Sequence, residues 1–252
     1  MNDQSIRLQV ADGVAHIGLN RPGNSNAFDL STARAFDEAT RTVEADVTVK
    51  AILLTGAGKR FCAGGDVTSM LAAPDPASYL KELADVLDGA LQRLDSMSKP
   101  VVAAVQGAVA GAGLGVMLSA DLIVAARGTK FLAAYAGIGL TPDCGVSWLL
   151  PRAVGQPRAL DIVVNGRVLD AEEALSWGLV TEVVDTGAQE HAKAIASRLA
   201  AGPSFAFGQA RRLVRGAWDV DRVGAGADEA VTISQAVTTP EATAMIVKFA
   251  TT

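Results

Sequence analysis

"KPVVAAVQGAVAGAGLGV", Lys99 to Val116, is the stretch whose reading decides the fold. Its first half reads as a buried strand, the apolar run Val101 to Val105 closed by Gly107. Its second half is made of small residues, with Gly111, Gly113 and Gly115 ahead of the apolar run "VMLSADLIVAA". A strand that empties into a glycine-rich helix start leaves unpaired backbone N–H groups there. Small residues at that point let a ligand approach the backbone. "FCAGGDVTSM", Phe61 to Met70, repeats the arrangement after the strand "AILLTG", Ala51 to Gly56. Glycines at both places also serve plain helix-on-strand packing, and spacing alone does not separate the two uses.

Outward from this stretch the chain alternates strands and helices. "GVAHIGLNRP" sets Ala15, Ile17 and Leu19 on one face and reads as a strand. "DLSTARAFDEATRTVEAD" reads as a helix capped by Asp29 or Ser31. "ASYLKELADVLDGALQRLDSM" places Leu80, Leu83, Leu87, Leu91 and Leu94 on one helical face. "DLIVAA", Asp121 to Ala126, is a further buried strand. Alternation of this kind predicts an α/β architecture. Beyond Gly145 the pattern is nearly all helical, including stretches near 219–238 and 240–250. A core over residues 1–195 and a helical region over 196–252 are expected, the latter packing on a neighbour or on another subunit.

With 252 residues, half of them hydrophobic, the chain can bury a large core. Its net charge of −5 disfavours a nucleic-acid partner. Cys62 and Cys144 have no metal-ligand spacing and no disulfide framework around them, so no metal is expected. No secretory leader is evident, and no apolar run reaches the roughly 18 residues of a membrane span. A cytoplasmic location without a membrane partner is the expectation. Phosphate and nucleophile motifs fail on inspection. Gly58-Lys59 is followed by Arg60, with Leu53 where the first glycine of a phosphate loop belongs. The Gly111, Gly113 and Gly115 spacing is not that of a dinucleotide fingerprint. "GVSWL" lacks the second glycine of a serine elbow. What remains is a pair of helix starts whose amides, if they converge, form an oxyanion hole.

Taken together, the segments "LNRPGNSNAF", "FCAGGDVTSM", "KPVVAAVQGAVAGAGLGV", "SADLIVAARGTKF", "IGLTPDCGVSWLLPRAVG" and "GRVLDAEEALSWGLVTEVV" resemble, in order, the motifs of the crotonase superfamily, the enoyl-CoA hydratase/isomerase group. The resemblance covers about residues 10 to 185. It implies a spiral core of β-β-α turns with a C-terminal helical region that builds trimers or hexamers. It implies acyl-CoA thioester substrates and no separate cofactor, coenzyme A arriving as part of the thioester. Carried over position by position, the two oxyanion amides are those of Gly65 and Ala112. Ala112 stands where the family usually has glycine, and its N–H still donates. Ala63, Gly65, Asp66, Val67, Thr68 and Ala112 are the positions implied to meet the CoA arm, together with Pro22 to Asn26. Arg21 and Arg60 flank these segments, as possible phosphate partners or as solvated surface.

The resemblance also says which chemistry is missing. Hydratases of this group use two glutamates, and the matching positions here are Gly115 and Tyr135. An unperturbed phenol is a poor base at neutral pH. Asp143, in "GLTPDCG", matches the position where some enoyl-CoA isomerases carry a single catalytic carboxylate, and the surrounding run most resembles the 1,2-epoxyphenylacetyl-CoA isomerase branch. One carboxylate suffices for isomerisation, because it can take a proton from one carbon and return it to another. A carboxyl buried among apolar groups titrates higher than a solvated one, and Leu140, Pro142 and Trp148 are placed to supply such groups. The competing role for Asp143 is a helix N-cap. A degenerate hydratase, a thioester hydrolase and a non-catalytic CoA-binding homologue stay open as alternatives to the isomerase.

Overall fold

The computed structural model describes residues 4–251. In chain order the elements are β1 (Ile6–Ala11), β2 (Val14–Leu19), α1 (Leu30–Ala45), β3 (Ala51–Gly56), α2 (Val67–Ala72), α3 (Pro76–Ser96), β4 (Val101–Val105), β5 (Ala108–Ala110), α4 (Ala112–Leu118), β6 (Leu122–Ala126), β7 (Lys130–Leu132), α5 (Val146–Val154), α6 (Gln156–Val163), β8 (Leu169–Asp170), α7 (Ala171–Ser176), β9 (Glu182–Val184), α8 (Ala188–Ala200), α9 (Ser204–Gly216), α10 (Arg222–Ala236) and α11 (Pro240–Ala250).

The main sheet runs β1-β2-β3-β4-β6-β9. β1 is antiparallel to β2, and every later neighbour is parallel. Both faces are covered, which is why its strands are continuous apolar runs rather than alternating ones. Ile17, Ile52, Leu54, Ala103 and Val105 face the layer holding α1 and α3. Leu53, Val102, Ala104 and Val124 face Ala192, Ile195 and Ala196 of α8. α8 crosses residue 195 and packs along its length on the sheet.

A second, smaller sheet, β5-β7-β8, stands beside the first. The bridges Cys62 to Val109 and Phe28 to Gly65 extend it along the glycine segments. The chain passes from main sheet to small sheet to helix three times: β3, residues 62–65, α2; β4, β5, α4; β6, β7, α5. That is the β-β-α spiral expected from the motifs.

Buried guanidinium chemistry ties α9 to this body. Arg211 is buried and donates to the carbonyls of Leu94 (2.9 Å) and Asp95 (2.8 Å) and to the Asp121 carboxylate (2.7 Å). Asp121 also accepts from Arg215 at 2.7 Å and from the Val101 amide at 2.7 Å. Asp121 is thus a structural anchor, and its partners leave little unpaired charge in a partly dry place. α10 packs on α9 through the Arg212–Asp228 pair. α11 keeps Met245, Ile246, Val247 and Phe249 exposed, the last at 88%. No helix among the described residues is long and apolar enough to cross a membrane.

Candidate active site

The two glycine segments meet. Phe28 N–H donates to the Gly64 carbonyl (2.8 Å) and Asp66 N–H to the Phe28 carbonyl (2.8 Å), so one edge of residues 64–66 is satisfied. The Gly65 N–H is directed to the other edge. Among the described residues neither it nor the Ala112 N–H has an acceptor in the protein. Gly64 brings them together. Its φ of +99° lies in the left-handed region, and a Cβ there would stand 3.0 Å from the Ala110 carbonyl and 3.3 Å from Ala112 N. Only glycine allows strand 62–65 to approach the start of α4 this closely. Gly111, at φ +52°, then turns β5 into α4 so that Ala112 is the first helical residue.

The carboxylate arrives from the loop after β7. Tyr135 is buried, 8% exposed, and its Oη donates to Asp143 Oδ1 at 2.7 Å. A Cβ on Gly111 would meet Tyr135 Cζ at 3.9 Å, so the phenol lies against the turn that presents Ala112. Burial, then the adjacent Asp143 charge, push the Tyr135 phenol far above its ordinary value, so it stays protonated and acts as a donor. Asp143 does not cap a helix. The N-cap of α5 is Gly145, with no side-chain cap bond. Cys144 (φ +51°) and Gly145 (φ +72°) are both left-handed and turn the chain away beneath the carboxylate.

The same turn fills the place of the missing glutamate. A Cβ on Gly115 would overlap the Cys144 carbonyl oxygen and lie 3.0 Å from the Cys144 Cβ. Gly115 therefore cannot carry a side chain into the site, a feature that sequence could report only as an absence. Neither thiol is poised for chemistry. Burial pushes Cys62 up to about 12, and burial, then the Asp143 charge, push Cys144 higher still.

The segments implied to meet the CoA arm hold much of their own structure. Asp66 caps α2, accepting from the Ser69 amide (3.2 Å), and pairs with Arg21 at 3.1 Å. Burial alone would raise the Asp66 carboxyl, but the Ser69 amide, Asn24 and Arg21 outweigh it and hold it below the usual carboxylate range. Arg21 also pairs with Asp29 (3.0 Å) and donates to the Ala27 carbonyl (2.6 Å). It is a strap between segments rather than solvated surface. Arg60 donates to Ser25 Oγ at 2.7 Å from an exposed position. Asn26 is buried and donates to the Ala57 (2.9 Å) and Arg60 (2.8 Å) carbonyls. Ala63, Val67 and Thr68 lie at the mouth of the glycine segments, partly or fully exposed. Trp148, with Cys144 and Gly145, lines a cavity of about 1120 Å³ between α3, α5 and α9, and lies under the Arg152 guanidinium at 3.4 Å. Its indole thus belongs to that groove's wall. Among the described residues no cluster of His, Cys, Asp and Glu is arranged to hold a metal.

The chain is similar to known proteins in sequence and in fold. A profile of the family described as enoyl-CoA hydratase/isomerase matches residues 9–241. The chain is 38% identical over 218 residues to the 1,2-epoxyphenylacetyl-CoA isomerase of Escherichia coli K12, covering 84% of this chain and 82% of that one. It is 36% identical over 187 residues to the trans-2-decenoyl-[acyl-carrier-protein] isomerase of Streptococcus mutans, covering 73% and 71%. The crystal structure of an enoyl-CoA hydratase from Mycobacterium smegmatis superposes with a TM-score of 0.91 at 29% identity, covering 97% of this chain and 95% of that one. The spiral of β-β-α turns, the two facing glycine segments and these similarities together make the chain a member of the enoyl-CoA hydratase/isomerase family, an enzyme family of the crotonase superfamily.

Proposed function

We propose that the protein is an acyl-CoA isomerase with Asp143 as its proton shuttle. The observation that carries this reading is one carboxylate held by Tyr135, whose ring lies against the Gly111 turn that leads into the unpaired Ala112 amide, with Gly115 closed off by Cys144. In a 3-enoyl-CoA the thioester oxygen accepts hydrogen bonds from Gly65 N–H and Ala112 N–H. The Asp143 carboxylate takes a proton from C2, and the C–H electron pair moves into a dienolate whose negative charge rests on the thioester oxygen. The carboxyl then returns the proton to C4, leaving the double bond between C2 and C3. The two proton transfers balance and need no second acid. Hydration needs groups to place and ionise a water, and Gly115 has no room for a carboxylate while Tyr135 holds a phenol at the other position. The likeness to a 1,2-epoxyphenylacetyl-CoA isomerase adds a ring epoxide of an arylacetyl-CoA as a second substrate class for the same enolate chemistry.

The backbone of Ala63 to Thr68 and of Pro22 to Asn26 would carry the CoA arm, since the Asp66 and Asn26 side chains are committed to the fold. The exposed apolar residues of α10 and α11 support a homotrimer or homohexamer. The test is Asp143→Asn against a panel of 3-enoyl-, 2-enoyl- and ring-epoxide phenylacetyl-CoA thioesters. Loss of isomerisation with acyl-CoA binding intact is expected. Unchanged turnover would sink the mechanism.

A further inference from the structure

We infer that Tyr135 is a positioning residue for the Asp143 carboxylate, an inference that rests on Asp143 being the proton shuttle. The second glutamate position of a hydratase is here converted into a clamp on the remaining carboxylate. Three observations carry it.

The first is the contact itself. A buried phenol donates to Oδ1 at 2.7 Å, the length of a strong charge-assisted bond. A carboxylate has about four acceptor positions, so one donor fixes its orientation and leaves lone pairs for substrate.

The second is the loop between the two residues. It folds back on Tyr135, whose carbonyl accepts from Ile138 N–H (3.1 Å) and Leu140 N–H (3.0 Å). The eight residues from 135 to 142 are therefore a compact tether rather than an open excursion.

The third is backbone strain. Ala134, immediately before Tyr135, has φ +63°, and Cys144, immediately after Asp143, has φ +51°. Neither is glycine, and such residues persist only where the surroundings over-determine them. Strain brackets the pair on both sides. The phenol also lies beside Gly111, so the clamp and the amide of Ala112 share one rigid wall. Proton return from a fixed carboxylate to a second carbon on the same face of the acyl chain needs this rigidity, because small misplacements are costly.

The experiment compares the wild type with Tyr135→Phe, with 3-fluorotyrosine at position 135 and with Asp143→Asn, using a 3-enoyl-CoA over a range of pH. Tyr135→Phe should lower kcat by roughly ten- to hundred-fold, the loss of one hydrogen bond to a charged group, with KM nearly unchanged. The acidic limb of kcat/KM should move to higher pH, because a donor favouring the ionised carboxylate has gone. Fluorotyrosine, a more acidic donor of nearly the same shape, should move that limb the opposite way. It carries the test alone if the phenylalanine variant does not fold. A fall in kcat with an unmoved limb would mean a packing defect and would overturn the inference. So would wild-type kinetics in Tyr135→Phe while Asp143→Asn is inactive, a result that leaves the shuttle standing. Turnover in Asp143→Asn would overturn both.

Discussion

A side chain at Gly115 would collide with the main chain of Cys144, standing 3.0 Å from its Cβ. Where the resemblance sets a hydratase glutamate, this chain has closed the space. Gly115→Ala should therefore destabilise the fold by about 1–3 kcal/mol, the cost of overpacking a full core. Thermal or chemical denaturation reads this. Gly115→Glu should fold worse still and gain no hydratase activity on 2-enoyl-CoA. A stable, hydrating Gly115→Glu protein would contradict the account of this wall.

Ala112→Pro isolates the amide. Proline is tolerated at the first position of a helix, where it removes only an N–H that lacks a helical partner. Ala112 occupies that position in α4. The expected outcome is a protein with near-normal melting and a rate lower by about 10²–10³-fold, the usual cost of one oxyanion donor. Steady-state kinetics beside a melting curve decides it.

Arg21→Ala should cost roughly 1–3 kcal/mol, since it strips hydrogen bonds from the Asp66 and Asp29 carboxylates. The pH dependence has a definite sign. Asp66 is held low in the folded state, so its contribution is fully present above the unfolded value of about 4 and is lost as pH falls below it. The stability gap between wild type and Arg21→Ala should therefore narrow as the pH of a urea titration drops from neutrality toward 3. A gap independent of pH would remove Asp66 from the explanation.

Ile246→Glu with Phe249→Glu, on the exposed face of α11, should shift the protein toward smaller species in sedimentation velocity while its core melts normally. An unchanged sedimentation coefficient would remove α11 from the proposed subunit contact.

Long periodic and apolar segments were readable from sequence because burial on one or two faces imposes a pattern. α3 with its leucine stripe and β3, β4 and β6 are of this kind. β5, β7 and β8 are not, being two or three residues long and too short for any period to show. β1 also escaped the reading: as the antiparallel edge strand it is mostly exposed, and Asp12-Gly13 sits at its turn. The site divides the same way. Gly65, Ala112 and Asp143 could be placed by motif, because each sits at a fixed offset from a glycine or proline. The Tyr135 clamp and the Cys144 plug could not, since both depend on left-handed residues, Ala134 and Cys144, that no propensity assigns to that conformation. A tyrosine standing where a glutamate is usual was the one available hint.

The proposed oxyanion donors are main-chain groups, and this has an evolutionary consequence. A catalytic side chain vanishes with one codon change, whereas an amide survives every substitution except proline. Alanine at position 112, where the resemblance implies glycine, keeps its N–H in the same way, with α4 wholly buried around it. Drift at these two positions is therefore nearly silent for enolate chemistry, and selection for a new reaction falls on the walls that face the amides. Tyr135, Asp143 and Cys144 form one of those walls.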